Sequence, residues 1–284
     1  MNEPLFRIPL GKWIEAILDF LTNTLSGLTK AVSAVIESAI AVTVDGVLAI
    51  PPWLFMLLVA GLIFWLVGRK LALFSIVGLF ILWNLNLWEP TIVTISLVLV
   101  STVIAVAMGV PLGILAAVNT TVNRIITPIL DFMQTMPAFV YLIPAIPFFG
   151  LGTVSAVFAT VIFSIPPAIR LTALGIRQVP GDLVEAGDAF GATGLQKLIK
   201  VQLPIAQPTI MAGINQTIML ALSMAVIAAM IGAGGLGGEV WKAIQRLKPG
   251  MGFEAGVGVV IVAMILDRIT QNIGRNKTSA RKLH

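Results

Sequence analysis

The sequence predicts an all-α integral membrane protein of about seven transmembrane helices behind an N-terminal amphipathic helix, and three observations predict it. First, the 284 residues are 58% hydrophobic and 11% charged, with a mean hydropathy of +1.00. Soluble domains carry about a quarter charged residues, so this polarity is too low for a solvated surface. Second, the apolar residues form continuous runs near the length of a spanning helix, whereas barrel strands would alternate in shorter segments. Third, lysine and arginine gather in short clusters between those runs. The net charge of +5 therefore reads as loop cations that orient the chain, not as a nucleic-acid footprint. Cysteine is absent, and His284 is the one histidine. That composition removes disulfide and thiolate chemistry and leaves little for a metal site.

Residues 1–50 form the first region. Their start lacks the basic, apolar and small-residue succession of a signal peptide. Ile14, Ile17, Leu18, Leu21, Leu25, Leu28, Val32, Val35 and Ile36 recur at helical spacing, with Lys12, Glu15, Asp19, Asn23, Lys30 and Glu37 largely opposite. This pattern predicts a scaffold helix lying along the membrane interface, with Lys30 and Glu37 opposing a true span.

Residues 51–284 form the membrane domain. Spans are expected at 52–68, 71–88, 91–118, 126–149, 152–177, 206–232 and 255–273. Pro51-Pro52 opens the first, and Arg69-Lys70 makes a basic hairpin after it. The fourth span holds Pro128, Pro137, Pro144 and Pro147, each lacking a backbone donor, so it is kinked or broken where water or neighbours satisfy the freed carbonyls. Asp131 and Gln134 in the same span are costly in hydrocarbon and either line a pathway or sit at the cytosolic interface. Pro166-Pro167 precede Arg170 in the fifth span, and an Asp131–Arg170 pair would neutralise both charges. Asn215 and Ser223 in the sixth span serve either as packing glue between helices or as substrate contacts. The glycines of 231–238 are followed by no Gly-Lys-Ser/Thr, so they make no phosphate loop and are expected to form a flexible outer turn.

With the N-terminus outside, Arg69, Lys70, Arg124, Arg177, Lys197, Lys200 and the tail Arg275, Lys277, Arg281 and Lys282 fall in the cytosol, as the basic-inside rule requires. One outer loop dissents with Lys242, Arg246 and Lys248.

A polar island at 181–205 separates the fifth and sixth spans. Asp182 with Glu185, and Thr193 with Gln196, have the spacing of capping boxes. Gly191 stands where a left-handed residue would close the first helix, and Pro204 is expected to end the second. Two short helices joined by an elbow result, on the cytosolic side.

Glu185-Ala186-Gly187, Gly191 and Leu203-Pro204 resemble the E-A-A…G…I-x-L-P signature of ABC-importer permeases, with Gly187 and Val201 as departures. In that family this loop docks into a cleft of the ATP-hydrolysing subunit. The resemblance implies that Glu185, Ala186, Gly187, Asp188, Gly191, Leu203 and Pro204 couple the membrane domain to an ATPase. Longer phrases at 133–142, 165–172, 200–204, 208–224 and 265–271 resemble the glycine betaine/proline betaine permeases, closely over 90–275. That resemblance implies the type I ABC-importer fold in a bacterial cell membrane. It also implies a complex of two copies of this chain, two ATP-binding subunits and an external substrate-binding protein. The chain contains no Walker motif, so ATP and Mg are expected on the partner, with no cofactor and no enzymatic activity here. The translocation pathway is expected along Asp131, Gln134, Pro137, Phe139, Tyr141, Arg170, Asn215 and Ser223, with Phe132, Phe139 and Tyr141 as a weak aromatic cage. Two alternatives remain: an importer permease for methionine or another small solute, and a stand-alone carrier.

Overall fold

The computed structural model describes residues 9–279, so Arg281, Lys282 and His284 of the basic tail and the first eight residues of the amphipathic region lie outside the described residues. Every regular element among those described is helical. α1 (Leu10–Thr24) and α2 (Ser26–Leu48) break at Leu25, where one continuous amphipathic helix was expected. α1 exposes Trp13, Ile14, Ile17 and Phe20. α2 is long and apolar enough to cross a membrane, although Lys30 and Glu37 had argued against a span. It packs on the membrane helices described below.

α3 (Pro52–Leu66) and α4 (Arg69–Asn84) form a hairpin. At 15 and 16 residues each is about 23 Å long, short of the ~30 Å hydrocarbon core. By length and composition, five helices among the described residues can cross, or six if one bent pair counts as a single span, against the seven spans expected. The difference at this hairpin leaves the orientation of everything after it unchanged, because two antiparallel helices add either no crossing or two.

The core is a layer of three helices: α5 (Trp88–Val118), α8 (Thr153–Arg177) and α11 (Leu203–Ala228). Small residues decide their spacing. A Cβ on Gly109 would lie 2.8 Å from the Ala168 Cβ, and one on Gly113 would lie 2.7 Å from the Ile169 carbonyl oxygen. The matched numbers rise together, so α5 and α8 run parallel. On the other face of α8, a Cβ on Gly213 would meet the Pro167 carbonyl at 3.0 Å and one on Gly175 the Ala206 carbonyl at 3.2 Å. Here the numbers run oppositely, so α11 is antiparallel to α8. Without a hydrophobic drive between helices in lipid, such backbone approach is what holds them together.

α6 (Thr120–Thr135) and α7 (Leu142–Phe149) lie between α5 and α8 in the chain, separated by a tight turn at Ala138–Tyr141. α9 (Gly181–Ala189) and α10 (Gly194–Lys197) make the island. α12 (Gly235–Gln245) and α13 (Pro249–Ser279) complete the chain. The glycine segment before α12 is not the loose turn expected. Thr94 on α5 accepts a 2.8 Å bond from the Leu236 N–H, and Leu236 is fully buried. A Cβ on Gly237 would lie 2.7 Å from the Val226 Cα. Gly235 and Gly237 serve close packing, and Gly232, Gly234 and Gly235 take positive φ; a composition reading takes both for flexibility.

Candidate functional site

Two constellations emerge, one on the polar island and one at the broken helix. On the island, α9 ends in a Schellman motif: Ala192 N–H donates to the Gly187 carbonyl and Gly191 N–H to the Asp188 carbonyl, each at 2.9 Å. Gly191 has φ +72, the left-handed state that glycine enters without strain. The capping box at Thr193 is complete, with Thr193 N–H donating to Gln196 Oε1 at 2.8 Å and Gln196 N–H to Thr193 Oγ1 at 3.3 Å. The box expected at Asp182 does not form. Pro180 occupies the N-cap position and Asp182 falls inside the first turn, where its charge still faces the positive end of the helix. Glu185 is thus free of a capping duty and stands exposed beside Ala186.

Asp188 pairs with Lys197 across the elbow, tying α9 to α10. The stem of Lys197 lies over Gly187, whose added Cβ would come within 3.2 Å of Lys197 Cγ. A side chain at the third position of the E-A-A pattern would therefore crowd the lysine lying above it. Lys197 escaped the sequence reading because a pair nine residues apart across a turn leaves no periodic trace. Phe190 at the tip is 92% exposed and Leu195 is 66% exposed.

Pro204 does not end the second island helix. α10 runs through a π-helical turn at Leu198–Gln202 directly into α11, which starts at Leu203 with Pro204 in its first turn. The wider turn relieves the clash that a proline ring makes with the carbonyl four residues earlier. Leu203 and Pro204 are half-buried at this junction.

At the broken helix, α6 starts on Asn119, whose side chain accepts from the N–H groups of Thr121 and Val122 at 2.9 and 3.2 Å. Met136 and Pro137 are extended, and α6 and α7 diverge by 113°. Pro137 cannot donate to the Met133 carbonyl, and the Tyr141 hydroxyl donates to it instead. Tyr141 is buried, its ring edge-on to Phe163 at 5.6 Å. It therefore supports the break, while Phe132 and Phe139 are exposed; among the described residues no ring contact joins the three aromatics expected as a cage.

The structure brings Asp131 and Arg170 together as an ion pair between α6 and α8. Arg170 and Arg177 line a cavity of about 340 Å³ with Asn123, Thr127 and apolar side chains of α5, α6 and α8. Arg177 also donates to the Ala116 carbonyl on α5. Gln134 is exposed one turn beyond Asp131, and Pro137 is exposed at the break. Asn215 lies apart from this group. Its Nδ2 donates to Asp267 at 2.9 Å and its Oδ1 accepts from Thr270, while Gln271 donates to both Asp267 oxygens at 2.8 Å. Asn215 is glue between α11 and α13. Ser223 is exposed and donates to the Met219 carbonyl of its own helix at 3.0 Å.

Residues 109–278 match the family model described as "Binding-protein-dependent transport system inner membrane component". The glycine betaine transport system permease protein OpuAB of Bacillus subtilis (strain 168) is 52% identical over 273 residues, covering 96% of this chain and 97% of that protein. The glycine betaine/carnitine transport permease protein GbuB of Listeria monocytogenes serotype 1/2a is 52% identical over 277 residues, covering 96% and 98%. Among solved structures, an inward-facing conformation of the MetNI methionine ABC transporter superposes with a TM-score of 0.61 at 24% identity, over 65% of this chain and 93% of that one. That likeness establishes the type I importer-permease fold.

Proposed function

Because the chain belongs to the binding-protein-dependent transport system inner membrane components, we propose that it forms the translocation pathway of an ATP-driven glycine betaine importer. The observation that carries the substrate is 52% identity across 96% of the chain to permeases named for glycine betaine. The methionine alternative rests on a structural likeness at 24% identity, which carries the fold alone. A stand-alone carrier would leave the capped, rigid island without a task.

In this reading two copies of the chain assemble with two ATP-binding subunits on the cytosolic side and an external binding protein, as a multi-pass protein of the bacterial inner membrane. ATP and Mg reside on the partner, and this chain performs no chemistry. The elbow between α9 and α10 presents Phe190 and Leu195, with the exposed Glu185 and Ala186 beside them, to the ATPase cleft, while Gly187, Asp188 and Gly191 hold its shape and Leu203 and Pro204 pass its position into α11. A preorganised elbow suits docking because little ordering entropy is left to lose on contact.

The test is uptake into proteoliposomes holding the assembled complex, with ATP inside and labelled substrate and the matching binding protein outside. ATP-dependent accumulation of glycine betaine is expected. Accumulation of methionine without betaine, in a complex shown to be intact, overturns the substrate and leaves the importer.

A further inference from the structure

Arg170 and Asp131 are each only half used. A guanidinium carries five N–H donors. One nitrogen, Nη2, binds Asp131 Oδ1, while Nε is buried with no hydrogen-bond partner. An unmade bond at a buried donor is costly, so this edge of Arg170 favours an additional acceptor. Arg170 borders the 340 Å³ cavity, which has room for a small solute. On the other side, the Asp131 side chain is 59% exposed and its second oxygen has no partner among the described hydrogen bonds. Ion pairs this open to solvent are weakly held and exchange partners readily.

Both residues sit on helices whose ladders are interrupted nearby. Asp131 lies between Pro128 and the break at Met136-Pro137, and Arg170 follows Pro166-Pro167 by one turn. The pair thus ties the segment before the 113° bend to the closely packed α8.

We propose that the Asp131–Arg170 pair is a clasp that a compact zwitterion opens by replacing each partner, its carboxylate taking Arg170 and its quaternary ammonium lying against Asp131. The idea rests on the betaine reading. In glycine betaine one methylene separates the two charged groups, so the solute presents opposite charges at about the spacing of an ion pair. Arg170 gains a planar acceptor that suits its fork, and Asp131 keeps an adjacent cation. A quaternary ammonium without a carboxylate, such as choline, leaves Arg170 unsatisfied and opens the clasp poorly. With the solute in place α6 is released from α8, which makes an occupied pathway different from an empty one. Weak binding is retained because each new contact replaces one already present.

The experiment uses the complete complex in proteoliposomes and measures labelled glycine betaine uptake and ATP hydrolysis together, with assembly and melting temperature checked for each variant. Wild-type uptake of betaine comes first; its absence overturns the functional reading, and the clasp with it. Given that uptake, Asp131→Asn and Arg170→Gln are each expected to reduce betaine carried per ATP about tenfold, the size of a modest coupling between sites. Hydrolysis without betaine should rise in both, since the clasp is already open. The exchange Asp131→Arg with Arg170→Asp re-forms the pair in reversed polarity. It is expected to bring idle hydrolysis back down while betaine per ATP stays low, because a carboxylate now stands on the cavity side where the guanidinium was. Unchanged betaine per ATP in assembled neutral variants overturns the clasp and leaves the importer standing. So does full recovery of uptake by the exchange, which marks a purely structural ion pair; this arm decides even if the neutral variants fail to assemble.

Discussion

Glycine takes two different roles in this chain, and substitution separates them. At Gly191 an added Cβ meets nothing within 4 Å, yet φ is +72, so the cost of a side chain is conformational. Gly191→Val should strain the elbow by about 1–2 kcal/mol or more, too little to prevent membrane insertion but enough to misplace the docking surface. Betaine uptake should fall while the amount of inserted protein holds, and Gly191→Asn, which tolerates the left-handed state, should retain uptake. Wild-type uptake by the valine variant would remove the elbow from the coupling path. At Gly113 the problem is space: the added Cβ would lie 2.6 Å from the Thr172 Cβ. Gly113→Ala should cost about 1–3 kcal/mol by overpacking and lower the melting temperature of the purified complex. Gly46→Ala, in an α2 position with nothing within 4 Å, should not lower it. Equal melting temperatures for the two variants would contradict the close α5–α8 approach.

Elements were legible in the sequence wherever a local rule governs them, and illegible where the partner comes from far along the chain. The Thr193 box and the left-handed Gly191 follow from spacing alone, and both stand in the structure. Asp182 had the same spacing, but the helix starts two residues earlier, after Pro180, which puts Asp182 inside the first turn. Pro204 looked terminal because a π turn upstream cannot be read from composition. The helices of the α3–α4 hairpin are shorter than the apolar runs at 52–68 and 71–88, because those runs continue beyond the helix ends. Ion pairs, the Asn215–Asp267 contact and the Tyr141 prop are tertiary facts that periodicity does not encode. Two outcomes test this layer. Thr193→Ala should cost about 1 kcal/mol of α10 stability and speed limited proteolysis at the elbow, with Asp182→Glu, which keeps the first-turn charge, cleaved at the wild-type rate. Faster cleavage of the Asp182 variant would restore the cap that the structure denies. Asn215→Ala removes the bonds between α11 and α13 while Thr270 keeps the Leu266 carbonyl and Asp267 keeps Gln271, and should cost about 0.5–1.5 kcal/mol, seen as a lower melting temperature. The KM for betaine should not change; a raised KM would make Asn215 a substrate contact and not an interhelical bond.

For the whole molecule, the proposed orientation places the island in the cytosol and the α12–α13 turn outside. The chain has no cysteine, so single cysteines report without background. Leu247→Cys, at a tip residue that is 88% exposed, should react with an impermeant thiol reagent added to intact cells. Asp188→Cys should react only after the membrane is opened, and the reverse pattern would invert the topology. The continuity of α10, the π turn and α11 adds a mechanical property at this scale. Gly194–Ile231 is one 38-residue helical unit, a rod of about 57 Å. Its outer end is pinned, since Leu236 is bonded to Thr94 and Gly237 is seated on Val226. Under the proposed docking role its inner end rides with the ATPase. A tilt of about 5° about the pinned end, shared by α8 through the Gly175–Ala206 contact, then sweeps the inner end through about 5 Å, enough to open a gap the width of a small solute at the cytosolic mouth while the outer mouth stays still.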